Sequence, residues 1–248
     1  NTPPHITFSR QKLDLFALLG VDLTLMLRFT RELAALEPEE FVRTYLVDLL
    51  RTNHLVVGYD YSFGKGRKGN FQLLSELGKT HGFTVEQLEP VIMNGAIVSS
   101  TRIRDMIQAG DVWNVRPLLG RFYAVRGTVI HGHNRGGKLL GFPTANLKLE
   151  NEVHPKLGVY AIWAQLDDAI YPAVANIGYN PTFGDHELSV EAHIFDFNKD
   201  IYDRELRVHF VQFIRPEKKF DGLDELIARI REDVNLARQI LDTAEAKP

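Results

Sequence analysis

An α/β half built on a parallel sheet, followed by an antiparallel β-barrel or sandwich with a helix packed on it, is the fold class this sequence predicts. Three observations carry that expectation. Helix-period and strand-period stretches alternate strictly up to Leu119, the pattern of parallel α/β sheets. After Leu119 the chain turns to short β-branched and aromatic runs separated by Gly, Asn, Asp and Pro turns. The last stretch sets its apolar residues on one helical stripe. With 248 residues there is room for two ordinary domains, and the change of texture puts their boundary near Gly120.

The first half reads as follows. "RQKLDLFALLGVD" places Leu13, Phe16, Ala17 and Leu19 on an amphipathic helix closed by Gly20. "LTLMLRF", Leu23 to Phe29, is a continuous apolar run, expected to be a strand buried on both faces. "EPEEFVRTYLVDLL" opens a helix with Pro38 in its first turn and acids beside it, which suits the helix dipole. "HLVVGYD" is a second strand, "NFQLLSELGKTHG" a helix ending at Gly82, "FTVEQLE" a third strand, and "RIRDMIQAG" a helix stopped by Gly110. In the second half, "FYAVRGTVIHG", "GVYAIWAQL", "YPAVANIG", "SVEAHIFDF" and "ELRVHFVQFI" are strands. "DGLDELIARIREDVNLARQIL" aligns Leu223, Leu226, Ile227, Ile230, Val234, Ala237 and Leu241 along a helix that packs on them.

Composition narrows the function classes. The hydrophobic content of 44% and charged content of 25% are those of a globular protein with a sizeable core. A formal net charge of −3 supplies no positive field to draw the chain to nucleic acid or to a membrane surface. With 0 cysteines there are no disulfides, thiolate metal sites or cysteine nucleophiles, which fits a reducing, cytoplasmic setting. No apolar run approaches the roughly 18 residues of a membrane span. The sequence carries no signal for oligomeric state.

Chemistry concentrates in a few stretches. In "RGGKLLGFPTANLKLE", residues 135–150, Pro143 has no N–H and pushes Phe142 to an extended conformation. On an extended backbone Thr144 and Asn146 point to the same face, a hydroxyl and an amide oxygen of the kind magnesium accepts beside water and phosphate. The preceding glycines let backbone N–H groups approach an anion, and Lys138 can neutralise it. A plain glycine-rich hairpin followed by an edge strand explains the stretch equally well. "NIGYNPTFGD" repeats the theme around Thr182, as a loop over a ligand or as a simple turn.

"SVEAHIFDF" puts Ser189, Glu191, His193 and Phe195 on one strand face. A carboxylate held on a rigid strand beside a phosphate site can take the proton of an attacking alcohol. A surface glutamate and a structural histidine are the ordinary alternatives. "VGYDYSFGKGRKGN" follows a strand and gives a glycine-rich loop with Lys65, Arg67 and Lys68, either an anion site at the ligand-favoured edge of a parallel sheet or a solvated basic loop. "IVSSTRIRD" joins a strand end to a helix start through Ser99, Ser100 and Thr101, with Arg102 and Arg104 following. That is a phosphate cradle or a plain N-cap.

Taken together and in order, these stretches resemble the bacterial bifunctional riboflavin kinase/FMN adenylyltransferase (FAD synthetase) family over nearly the whole chain. "GKLLGFPTANL", then "GVY", "NIGYNPTF", "VEAHIFDF" and "FIRPEKKF", are similar to the riboflavin kinase module and to little else. The resemblance implies a six-stranded antiparallel Greek-key barrel with a C-terminal helix at 120–248. It implies phosphorylation of riboflavin to FMN by ATP, with release of ADP. It makes Thr144 and Asn146 the Mg²⁺ and phosphate ligands and Glu191 the general base. Gly132, Gly136, Gly137, Lys138, Gly141 and Pro143 would embrace the nucleotide, and Asn176, Gly178, Thr182 and Phe183 would line the flavin side.

Residues 1–119 look like the FMN adenylyltransferase module, a Rossmann-type nucleotidyltransferase. Asp60, Phe63 and Gly64 match its flavin loop, and Ser99, Ser100, Thr101 and Arg104 match its ATP-phosphate motif. Members of that class open with a strand and an H-x-G-H-like pair. None of the 9 histidines here stands in one, and "HGH" at His131 to His133 has the wrong spacing. "ITFSRQKLDLF" matches a point well inside the first domain, so the opening β–α portion is expected to be absent and FMN adenylylation lost in the chain as written. A reading of another class is an oligonucleotide-binding barrel, with Tyr123, Trp163 and Phe195 stacking on bases beside an inert α/β scaffold.

Overall fold

The computed structural model describes residues 3–131, 141–149, 153–179, 188–243, 245 and 247. Of the sequence-predicted site residues, Gly132, Gly136, Gly137, Lys138, Thr182 and Phe183 lie outside them. The chain divides into two units, Phe16–Val98 and Asn1–Leu15 with Ser99–Pro248.

In the unit Phe16–Val98, strands β1 (His54–Gly58) and β2 (Thr84–Leu88) pair in parallel, His54 opposite Thr84 and Gly58 opposite Leu88. The crossover between them carries helix α4 (Phe71–His81), after the short helices α2 (Arg31–Ala35) and α3 (Pro38–Phe41) earlier in the chain. Local chemistry sets the limits of α4. The side chain of Asn70 accepts from Leu73 N at 3.0 Å, and Gly82 closes the last turn at φ +81°, a conformation glycine adopts without steric cost. Val42, Val57, Phe63, Leu74 and Phe83 form the core of this unit. A two-residue hairpin pairs β3 (Ile92–Met93) with β4 (Ala96–Ile97).

One expectation fails in this unit and another is met in altered form. Leu23–Phe29 forms no strand, and Leu23 and Phe29 are about four-fifths exposed, at 79% and 82%. A doubly buried strand needs a neighbour on each edge, and among the described residues no ladder forms there. The helix expected over 37–50 is a four-residue α-helix that passes into a π-helix, Val42–Leu49, whose end is marked by Leu50 N donating to Tyr45 O at 3.0 Å.

The second unit holds the barrel. Its strands are β5 (Tyr123–Ile130), β6 (Ala145–Leu149), β7 (Gly158–Leu166), β8 (Ala169–Tyr179), β9 (Leu188–Ile194) and β10 (Glu205–Arg215). They close in the order β10-β5-β6-β9-β8-β7, and every pairing is antiparallel. Alternation sends Tyr123, Tyr160, Ile162, Ile177, Val190 and Phe210 inward, where all are fully buried. Each such side chain contributes roughly 2 kcal/mol by leaving water. Outward-facing Val159, Ala161, Trp163 and Val174 cluster with Ala237 and Leu241 of the C-terminal helix, Leu223–Leu241.

Helices α1 (Ser9–Leu18), α5 (Ser100–Ala109) and α6 (Val112–Leu119) precede the barrel. Asp14 of α1 meets Arg126 of β5 at 2.6 Å, and Arg126 is nearly buried. Tyr123 lies inside the barrel, and Trp163 and Phe195 lie beneath the C-terminal helix, so the three aromatics expected to stack on bases are covered.

One ion pair fixes that helix to the barrel. Arg215 at the end of β10 grips Asp233 with Nε at 3.0 Å and Nη2 at 2.7 Å, and the two side chains are only 13% and 5% exposed. Removing one partner strands the other charge in a dry site. Asp233→Ala is expected to cost about 3 kcal/mol of unfolding free energy, read as a lower urea midpoint.

Candidate active site

The site follows from strand register. Glu191 of β9 lies directly opposite Asn146 of β6 on one side and Asn176 of β8 on the other. Directly opposed residues of antiparallel strands share a face with their Cβ atoms about 5 Å apart. Asn146, Glu191 and Asn176 therefore form a polar row across three strands. Their chain neighbours Leu147, Val190, Ala192 and Ile177 are fully buried on the inner face, so the row lies on the outer one. Within the row Asn146 is itself buried at 8% exposure.

Pro143 and Thr144 lead into β6. His193 Nδ1 donates to the carbonyl of Pro143 at 2.8 Å, which ties the approach to β6 onto β9 and fixes the proton on that ring nitrogen, because a carbonyl only accepts. Thr144 thereby reaches the wall of two cavities. A larger one, about 370 Å³, lies between the outer barrel face and the C-terminal helix; Phe142, Thr144, Asn176, Glu191, Glu217 and Phe220 line it. A smaller one, about 140 Å³, is lined by Pro143, Thr144, Lys199, Asp200 and Tyr202 among others.

Burial, and then the neighbouring Glu217 carboxylate, push Glu191 above the usual carboxylate range. A carboxyl in that condition is a stronger proton acceptor than an exposed one. Among the described residues no three His, Asp or Glu side chains gather to hold a metal ion. The oxygen donors at this edge, the Thr144 hydroxyl and Asn146 amide, are neutral. They fit a hard cation that brings its own anionic ligands, as a magnesium ion on a polyphosphate does, and not a bare one.

The structure thus brings together Pro143, Thr144, Asn146, Asn176 and Glu191, with Gly178 two residues along β8 from Asn176. Gly141, at φ +75°, precedes them. The stretches of the first half each have a local structural partner. Ser99 caps α5, accepting from Arg102 N at 3.3 Å, and Ser100 and Thr101 are the first residues of that helix. Arg104 Nε donates to Pro4 O at 2.7 Å. In the other unit Phe63 is a core side chain, Gly64 packs on Pro38, and Asp60 is exposed. Sequence reasoning missed Glu217, Lys199, Phe142 and Phe220 as cavity residues. The "PEKKF" run held the signal for two of them, because acids, cations and an aromatic just after a strand end sit where a barrel meets its helix.

Comparison with known proteins places the chain. The riboflavin kinase family model matches residues 119–241, and the FAD synthetase family model matches residues 1–102. The bifunctional riboflavin kinase/FMN adenylyltransferase of Listeria monocytogenes is 40% identical over 231 residues, 92% of this chain and 73% of that protein. The protein of the same name from Escherichia coli K12 is 39% identical over 238 residues, 96% of this chain and 76% of its relative. A crystal structure described as a macrolide-efflux protein from Streptococcus pneumoniae superposes with a TM-score of 0.84 at 34% identity, covering 95% of this chain and 76% of that one. Among the described residues of this chain no helix is long and apolar enough to cross a membrane. These similarities do not favour an oligonucleotide-binding barrel. The chain belongs to the bifunctional riboflavin kinase/FMN adenylyltransferase family.

Proposed function

We propose that residues 120–248 transfer the γ-phosphoryl group of ATP to the terminal hydroxyl of riboflavin, giving FMN and ADP, and that residues 1–119 correspond to the module of the family's second activity, adenylylation of FMN to FAD. The observation that carries the kinase reading is the register that sets Glu191 opposite Asn146, with Thr144 one residue before β6 on the wall of both cavities.

In this reading riboflavin occupies the larger cavity, its ring against Phe142, Phe220 and the apolar side chains Leu226 and Ile230 of the C-terminal helix. The phosphate end of ATP comes to Thr144 from the smaller cavity, where Lys199 adds positive charge. The alcohol oxygen forms a bond to the γ-phosphorus while the bond from that phosphorus to the bridging oxygen of ADP breaks. The alcohol proton passes to a carboxylate oxygen of Glu191. Thr144 and Asn146 would hold a magnesium ion through their neutral oxygens. That ion supplies charge neutralisation on the phosphates. The rest of the work is placement, to which a register-locked row on a closed barrel is suited.

Glu191→Ala is expected to lower kcat for FMN formation by about 100-fold or more, the loss of a general base. Separation of flavins by chromatography reads it, and turnover within a few-fold of the parent would mean that another group takes the proton. Thr144→Ala and Asn146→Ala are each expected to raise KM for MgATP by about 10-fold, leaving KM for riboflavin nearly unchanged. FMN supplied with MgATP, with FAD as the measured product, tests the second activity.

The raised proton affinity of Glu191 also has a stability consequence. A carboxyl that binds its proton more tightly folded than unfolded favours the folded state at low pH, and that contribution is lost as pH rises through its folded value. Glu191→Gln removes the buried charge. Without ligands its melting temperature should exceed the parent's near pH 8, and the difference should shrink as pH falls and the parent carboxyl protonates. An unchanged difference from pH 8 to pH 4 would contradict the burial of charge at this site.

A further inference from the structure

Glu217 has no part in the reaction described above, yet its carboxylate lies at one end of the polar row. Its Oε1 accepts a hydrogen bond from Asn176 Nδ2 at 3.3 Å, its only hydrogen bond among the described residues. The neighbouring charges are committed elsewhere: Lys218 pairs with Glu225 at 2.7 Å and Arg215 with Asp233. The seat of the carboxylate is made by an absence. A Cβ at Gly178 would stand 2.1 Å from Glu217 Oε1, so any side chain at this position displaces the carboxylate from its seat.

A carboxylate accepts and does not donate, so the amide nitrogen of Asn176 is the branch turned toward Glu217. The carbonyl branch is left for a ligand. Among the described residues it has no hydrogen-bond partner, and Asn176 lines the larger cavity. Its register partner across β8 and β9 is Glu191. The cavity wall thus offers an amide carbonyl and a carboxylate side by side, two acceptors at the spacing of adjacent strands. A chain with a hydroxyl donor on successive carbons matches such a pair. A flat ring does not.

We propose that Glu217 is a positioning residue that locks the Asn176 amide with its carbonyl oxygen toward the cavity, so that Asn176 and Glu191 together read the hydroxyls of the substrate's polyol chain. This rests on the riboflavin kinase reading and deepens it, naming the part of the substrate recognised and the side chain that sets the recognition.

The full chain is assayed with riboflavin and MgATP. Binding of lumiflavin, which has the ring and no polyol chain, is followed by fluorescence quenching. Glu217→Ala is expected to raise KM for riboflavin by about 10-fold, the loss of one hydrogen bond to the substrate, while KM for MgATP and the Kd for lumiflavin stay within about 2-fold. Glu217→Gln, whose carbonyl still accepts from Asn176, should restore KM for riboflavin. Gly178→Ala, which unseats the carboxylate and changes no polar group, should behave like Glu217→Ala. Adding Glu217→Ala to Asn176→Ala should cost nothing further, because both remove the same contact. The proposal is overturned if Glu217→Ala leaves KM for riboflavin unchanged, if lumiflavin weakens as much as riboflavin, if Glu217→Gln fails to restore KM, or if the two losses add. Failure of the kinase reading itself looks different, since the parent protein would then form no FMN.

Discussion

Antiparallel register is the constraint on which the rest of this molecule's chemistry depends. Once β9 lies between β6 and β8, pairing Glu191 with Asn146 on one side and Asn176 on the other, the three polar side chains have no freedom to separate. A slip of β9 by one residue would turn Glu191 into the barrel and bring Val190 out, away from its register with Asn146 and Asn176. The packed interior forbids that slip, so the same side chains that stabilise the barrel hold the site in place. Closure of the sheet adds a second safeguard, because β6, the shortest barrel strand among the described residues, has partners on both edges.

Charge is distributed unevenly around the row. Three carboxylates, Glu191, Glu217 and Asp233, line the larger cavity, and the two cations that line it are already paired, Arg215 with Asp233 and Lys218 with Glu225. Left alone, such a site repels a triphosphate. In the kinase reading, a nucleotide that enters with its own cation would reverse the balance, since it would bring positive charge to neutral oxygens and leave the buried glutamate to act as a base. The raised proton affinity of Glu191 and the neutrality of Thr144 and Asn146 are thus two sides of one arrangement.

Much of this was legible in the linear sequence, and the reasons are specific. Period-two alternation is plainest in β9 and β10, whose outer faces carry polar side chains, whereas β7 is apolar on both faces because the C-terminal helix covers its outer one. Gly82 and Gly110 marked helix ends because both sit in the left-handed region, where other residues are strained. The stripe on the C-terminal helix was visible, although Leu223 at its start is exposed at 53%. What could not be read were properties of pairing and distance. The apolar run Leu23–Phe29 has a strand's composition without a strand's neighbours. The shift from α to π geometry at Val42 leaves no trace in an apolar pattern this short. Glu217 became visible only when Gly178 and Asn176, some forty residues away in sequence, were seen beneath it.

On one side of the polar row the inner face of these strands is lined by alanines. Ala145 lies opposite Ala192, Ala192 opposite Ala175, and Ala175 opposite Tyr160, whose ring meets Phe210 while Phe210 stacks on Tyr123. Large rings from one half of the barrel thus occupy the volume that three methyl groups leave vacant on the other. Any enlargement there would bow the three strands outward and alter the spacing of every group on their solvent side. In the kinase reading the tolerances of the site are therefore set in part from behind, by the small side chains that face the barrel interior.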